Sequence, residues 1–241
     1  MESREERIWH SLPIDEVAAQ LGTDLAHGLR AGQVAEKRAQ FGLNELAERP
    51  RPGFLARLWG QLNDFLIWIL IISAIVSTII GWNEFTHTGE VTEFIDAAAI
   101  MTIVVLNAIM GLVQEGRAEE ALAALKKMAA PTATAVRDGQ QVVIGAAELV
   151  PGDLVVLETG NYVPADVRLV ESANLRIEEA SLTGESVPVE KYADAAVIDD
   201  AGIGDRHNCG YMSTIVTYGR GLGVVISTGM QTEIGKIAEM I

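Results

Sequence analysis

From Phe65 to Trp82 the chain runs for 18 residues without a charged side chain. A helix rising about 1.5 Å per residue turns that run into about 27 Å of apolar surface, close to the hydrocarbon thickness of a bilayer. A second run, Ala97 to Val113, adds 17 uncharged residues. It is rich in Ala and holds Asn107 and Gly111, so it is expected to pack against neighbouring helices rather than face lipid all round. A buried helical hairpin of a globular protein is the competing reading. Charge placement bears on the choice. All 18 Lys and Arg residues lie before Phe65 or after Val113. The stretch between the runs, Gly81 to Phe94, carries Glu84, Glu90 and Glu93 and no basic residue. Basic residues concentrate on the cytoplasmic flanks of membrane helices. The pattern therefore predicts a membrane hairpin with both flanks cytoplasmic and a short acidic connection outside.

The 241 residues combine 49% hydrophobic side chains with a net charge of -15, and the hairpin accounts for much of the apolar share. Nucleic acid is excluded as a partner, because a phosphate backbone needs clustered Lys and Arg. The single cysteine, Cys209, rules out an internal disulfide framework or a cysteine-cluster zinc site and reads as a small buried residue. The 4 histidines are scattered and form no metal constellation. The N-terminus lacks the charged, apolar and cleavage regions of a secretory signal.

The first fifty residues read as helical. Ile14, Val17, Ala18 and Leu21 share one helical face, with a stop at Gly22, and a second helix spans Ala31 to Phe41 and ends at Gly42. Arg49-Pro50-Arg51-Pro52-Gly53 is a linker, and the amphipathic stretch Phe54 to Leu62, with Arg57 and Trp59, suits a membrane surface. Beyond the second run, Gln114 to Lys127 is dense in helix formers. From Thr132 the period changes to two: Ala133 to Arg137 and Gln140 to Ile144 flank an Asp138-Gly139 turn, a hairpin signal. Further strands are expected at Leu154 to Glu158, Asp166 to Glu171, Asn174 to Glu178, Asn208 to Gly219 and Leu222 to Ser227, before a helix from Glu233.

Between two of these strands stands Ser181-Leu182-Thr183-Gly184-Glu185-Ser186-Val187-Pro188, expected to be an exposed turn. Gly184 lets the backbone approach another molecule's phosphate, and Glu185 projects a carboxylate able to hold and deprotonate a water. An ordinary turn before an edge strand is the competing reading of these residues alone. Together with Leu149-Val150-Pro151-Gly152-Asp153 and Val163-Pro164-Ala165-Asp166, the turn resembles the actuator domain of P-type ATPases, the ion pumps that form a phosphorylated aspartate in each cycle. Trp9, Leu12, Val17, Leu21, Thr23, Gly28-Leu29, Arg38, Gly42, Asn44 and Leu46 resemble the N-terminal segment of the type II cation pumps, calcium pumps in particular.

The resemblance implies an α+β membrane fragment. Residues 1–60 would be a cytoplasmic helical segment, 61–82 and 95–114 transmembrane helices, and 83–94 a short extracytoplasmic loop. Residues 115–130 would be a stalk helix and 131–241 a β-rich, distorted jelly-roll actuator domain leading to a third span. It implies that Thr183, Gly184, Glu185 and Ser186 form the catalytic loop, with Glu185 positioning the water that hydrolyses the aspartyl phosphate. Asp64 falls where calcium pumps carry an acidic residue near the ion entrance, although this chain has Asn63-Asp64 where two acids are common. Asp96, Asp153 and Asp166 read as an interfacial carboxylate and two turn-stabilising ones. The phosphorylated Asp, the nucleotide-binding domain and the later spans are not matched, and no Gly-x-x-x-x-Gly-Lys-Ser/Thr loop stands in for them. The expectation is a piece of a longer pump or a truncated gene product, inactive alone and holding no cofactor of its own. Mg2+ and ATP are expected for the full-length protein. Its partners would be the bilayer, the missing parts of the pump and the transported cation: calcium first, with sodium, proton or magnesium behind it. The expected location is a cell membrane, with both ends of this chain cytoplasmic. The other function class is a membrane-anchored β-domain that binds or scaffolds without catalysis.

Overall fold

The computed structural model describes residues 8–47, 53–89, 91–128 and 131–240. They fall into two compact units, one of Met1–Glu48 with Ala130–Ile241, the other of Arg49–Ala129. The N-terminal helices therefore belong with the β-domain, and the expected segment 1–60 is divided between the units. The linker Arg49-Pro50-Arg51-Pro52 and Glu90 lie outside the described residues.

In the second unit, α3 (Phe54–Leu62) is followed by α4 (Phe65–Thr88) and α5 (Thr92–Met128). Both long helices are apolar and long enough to cross a membrane. Their apolar side chains face outward, Ile79 at 65% and Leu106 at 60% exposure, which fits lipid rather than the interior of a globular hairpin. The connection is shorter than the expected 83–94. Helix α4 continues to a left-handed Gly89, and Phe85 meets Phe94 edge-on across the turn at 6.4 Å. Helix α5 has 37 residues, about 55 Å at 1.5 Å per residue, so one uninterrupted helix provides both a span and a charged extension beyond it. Against that extension lies α3: Arg57 meets Glu119 at 3.1 Å, and Gln61 donates to Glu115 at 3.3 Å. The Gln61 amide lies over Gly111, in the space a Cβ there would take.

The first unit is built on one seven-stranded sheet. Its strands are β1 (Thr132–Arg137), β2 (Gln140–Gly145), β3 (Leu154–Glu158), β4 (Asp166–Glu178), β5 (Val189–Lys191), β6 (Cys209–Gly210) and β7 (Ile215–Ser227). They run in the order β2-β1-β3-β7-β4-β5, with β6 also on β4, and every pairing is antiparallel. β1 and β2 turn at Asp138-Gly139, both in the left-handed region. The pieces expected as separate strands at 166–171 and 174–178 are one strand, and the two closing strands are one long β7 preceded by the short β6. Register shifts at Leu169/Glu171 and Ala173/Arg176 absorb the irregularity without ending the pairing. Gly219 makes this feasible: with φ 77°, any Cβ there would lie 2.2 Å from the Asn174 carbonyl oxygen.

Strand alternation gives the sheet two cores. Val155, Leu157, Val167, Leu169, Val216 and Val225 point into the larger one. Leu154 and Val224 point the opposite way, onto Val17 and Leu21 of α1 (Ile14–Leu21), with Trp9 and Leu25 around them. Helix α1 stops at Gly22 (φ 63°), whose N–H closes the last turn on the Ala18 and Ala19 carbonyls. After α2 (Ala31–Phe41), the buried Asn44 clamps three distant pieces of chain. Its amide nitrogen donates to the Ala146 and Pro164 carbonyls at 3.0 and 2.8 Å, and its oxygen accepts the Gly229 N–H at 2.8 Å.

Asp153 bonds the Val150 N–H at 2.9 Å, as a turn carboxylate does, and also holds Arg137 through two contacts of 2.8 and 2.6 Å. Asp166 departs from its expected local role. It accepts N–H bonds from Met212 and Glu233 at 2.9 and 2.8 Å, 46 and 67 residues away. It thereby ties the start of β4 to the start of α7 (Glu233–Glu239).

Candidate functional site

Strand β4 ends at Glu178, and one residue later the chain turns into the single-turn helix α6 (Ala180–Thr183). Gly184 closes this turn at φ 79° and ψ -2°, its N–H bonding the Ala180 carbonyl at 3.0 Å. The backbone angle, not crowding, calls for glycine, since a Cβ here would meet nothing within 4 Å. That same emptiness leaves the backbone open to a molecule arriving from outside.

Thr183 knits the turn. Its hydroxyl donates to the Glu179 carbonyl at 3.1 Å and accepts the Glu185 N–H at 3.2 Å, while its methyl lies near Gly204. Glu185 is exposed, as are Ser186 and Val187, the latter at 74%. The Glu185 carboxylate makes no hydrogen bond or ion pair among the described residues, so it is available to an external partner. The four sequence-identified residues thus share one outward-facing turn. Asp64 belongs to the other unit, where it caps α4 by accepting the Leu66 N–H at 2.8 Å.

Beneath the turn lies an arrangement that sequence pattern did not reveal. Glu179 and Lys191 are both fully buried and meet at 2.7 Å. The Lys191 ammonium also donates to the Arg206 carbonyl at 3.3 Å and stands 5.7 Å from the centre of the Tyr211 ring. No other hydrogen-bond donor reaches either carboxylate oxygen among the described residues. Burial pushes the Glu179 carboxyl above its usual range, and the Lys191 ammonium pulls it back. Glu and Lys are ordinarily surface residues, so nothing in their spacing marks them as interior. One strand face away, Arg176 holds Glu190 at 2.6 Å and lies over Tyr218, tying β4 to β5 at the surface. Another buried cation, Arg168, donates to the carbonyls of Leu169, Ala193 and Asn208, which fixes the loop after β5. Burial pushes the Cys209 thiol up to about 12, so it is neutral at physiological pH and suits packing rather than nucleophilic chemistry. Among the described residues no cluster of His, Cys, Asp or Glu could hold a metal ion.

The site is thus an exposed carboxylate on a short, internally hydrogen-bonded turn, with no metal-binding cluster among the described residues. Residues 127–241 match the model of the P-type ATPase actuator domain, and residues 9–77 match that of the cation transporter/ATPase N-terminus. A calcium-transporting ATPase of Bacillus cereus is 45% identical over 97% of this chain and 26% of its own length. A calcium-transporting ATPase of Bacillus subtilis is 40% identical over 97% of this chain and 25% of its own length. The cation-transporting ATPase pma1 of Synechocystis is 38% identical over 96% of the chain and 24% of its own. The chain therefore spans about a quarter of the length of these relatives. With the N-terminal model, the apolar helix pair and the actuator model following one another in order, the chain belongs to the P-type ATPases, of which it carries the N-terminal part.

Proposed function

We propose that this chain is the membrane-entry and actuator part of an ATP-driven cation pump, and that its Thr183-Gly184-Glu185-Ser186 turn promotes hydrolysis of the pump's aspartyl phosphate. The observation that carries the reading is the exposed, unengaged Glu185 carboxylate on a turn closed by left-handed Gly184 and cross-linked by Thr183. Glu185 acts as general base towards the attacking water. Thr183 and Gly184 set its approach, and Ser186 lines the same exposed edge. The aspartyl residue, the nucleotide and its Mg2+ are supplied by other parts of the pump. Calcium is the favoured cation, because the first two relatives above carry that name; sodium, proton and magnesium stand behind it. Asp64 stands at the entrance of the first span. One of its oxygens caps the helix, and its charge would meet an entering cation. The basic flanks favour a cytoplasmic location for both ends of the chain.

The test is made in the full pump. Glu185→Gln keeps shape and hydrogen bonding but cannot take the proton, so the phosphoenzyme should form normally and then persist. Positioned base catalysis contributes about 10²–10⁴-fold, or about 3–5 kcal/mol of barrier. Decay of acid-stable phosphoenzyme after a chase should slow by that factor. Glu185→Asp, shorter by one methylene, should slow it less. Decay at the wild-type rate in Glu185→Gln would leave the turn a structural element or a binding surface.

A further inference from the structure

The connection proposed to act on the aspartyl phosphate runs from Glu179 to Pro188, between the end of β4 and the start of β5, and it is pinned where it leaves the sheet and where it returns. Glu179 stands at its start. Its backbone carbonyl takes three hydrogen bonds from the turn: the Leu182 and Thr183 N–H groups, each at 2.9 Å, and the Thr183 hydroxyl at 3.1 Å. Lys191 ends β5, the strand the turn runs into. Because Glu179 and Lys191 meet at 2.7 Å with no solvent exposure, the carbonyl that organises the turn belongs to a residue whose side chain is locked to the returning strand. The Lys191 bond to the Arg206 carbonyl extends the lock to the 203–206 segment, where Gly204 faces Thr183.

Burying two charges is a poor way to gain stability, since apolar side chains of similar volume hold a fold as well or better. What a charge pair adds is geometry: one partner, one short distance, one register. We propose that the buried Glu179–Lys191 pair is a positioning device that sets the place and angle of the Thr183-Gly184-Glu185 turn, and so the rate at which the phosphoenzyme is hydrolysed. The inference rests on the reading of Glu185 given above. Neither residue touches the reacting atoms. They act through the Glu179 carbonyl and the Thr183 hydroxyl, and a misplacement of about 1 Å in such a site can cost about 100-fold in rate.

The experiment compares phosphoenzyme decay in the wild-type pump, Glu185→Gln, Glu179→Gln, and the double variant Glu179→Leu with Lys191→Met, which replaces the pair by apolar groups. The decay constant is read only from molecules that have already been phosphorylated, so a smaller folded fraction does not change it. The double variant should form phosphoenzyme and lose it about 10–100-fold more slowly than wild type. Glu179→Gln, which keeps an acceptor for the ammonium, should lie between the two. Slow decay in Glu185→Gln with wild-type decay in the double variant would overturn the positioning role alone. Wild-type decay in Glu185→Gln would overturn the reading of the turn and this inference with it. A double variant that forms no phosphoenzyme would assign the pair to the fold and equally end the inference.

Discussion

Asn44 offers a direct measurement of how firmly the N-terminal segment is built into the β-domain. Asn44→Ala removes three buried hydrogen bonds, of 3.0, 2.8 and 2.8 Å. The losses are unequal. The Ala146 carbonyl keeps a second partner, the Leu149 N–H at 3.2 Å, whereas the Pro164 carbonyl and the Gly229 N–H are left buried and unpaired. An orphaned buried polar group costs about 1–3 kcal/mol, so two of them put the loss at about 3 kcal/mol, with nothing to collapse into the space. For a β-domain of this size the urea dependence is about 2 kcal/mol per molar, which converts that loss into a midpoint lower by about 1.5 M. The assay is a urea titration of the purified chain in detergent, read by pulse proteolysis. Urea leaves the apolar hairpin largely intact, so the transition reports the sheet unit. Asn44→Asp should be no better at neutral pH, because it turns a donor into a charged acceptor facing two carbonyls. A shift below about 0.3 M, equivalent to about 0.6 kcal/mol, would show that the clamp is not coupled to the stability of the domain and would refute the reasoning.

Burial pushes the Asp166 carboxyl up to about 7, against its two N–H donors, so the folded chain holds a proton between about pH 4 and pH 7 that the unfolded chain has lost. Its contribution to stability is therefore complete below about pH 4 and fades as the pH rises through 7. Asp166→Asn should flatten that fall in urea midpoints taken at pH 5 and pH 7.5, and an unchanged slope would exclude Asp166 as its source. For the membrane topology, a reporter within residues 86–92 should be extracytoplasmic and tags at residues 1 and 241 cytoplasmic. Cleavage of an engineered site in the 86–92 stretch from the cytoplasmic side of sealed vesicles would contradict the hairpin.

Much of this protein is written in short-range pattern. Two charge-free runs and the basic residues flanking them are properties of composition, and they dictate a helical hairpin whatever else the chain does. Asp138-Gly139 and Gly184 mark left-handed turns because backbone sterics act on single residues, and Thr183 to Ser186 sit on one turn because they are consecutive. Even there the reach was short. The connection between the long helices is tighter than its polar residues suggested, and four expected strand segments became two long strands, since a register shift can be absorbed only when a partner strand is present. The tertiary structure alone decided the rest. Asn44 meets Gly229, Asp166 meets Glu233, and Glu179 meets Lys191 beneath the turn, each through a polar side chain whose neighbours in sequence do not name its partner. Whether such a group is buried depends on the piece of chain that folds over it, and that piece lies beyond the reach of a local pattern.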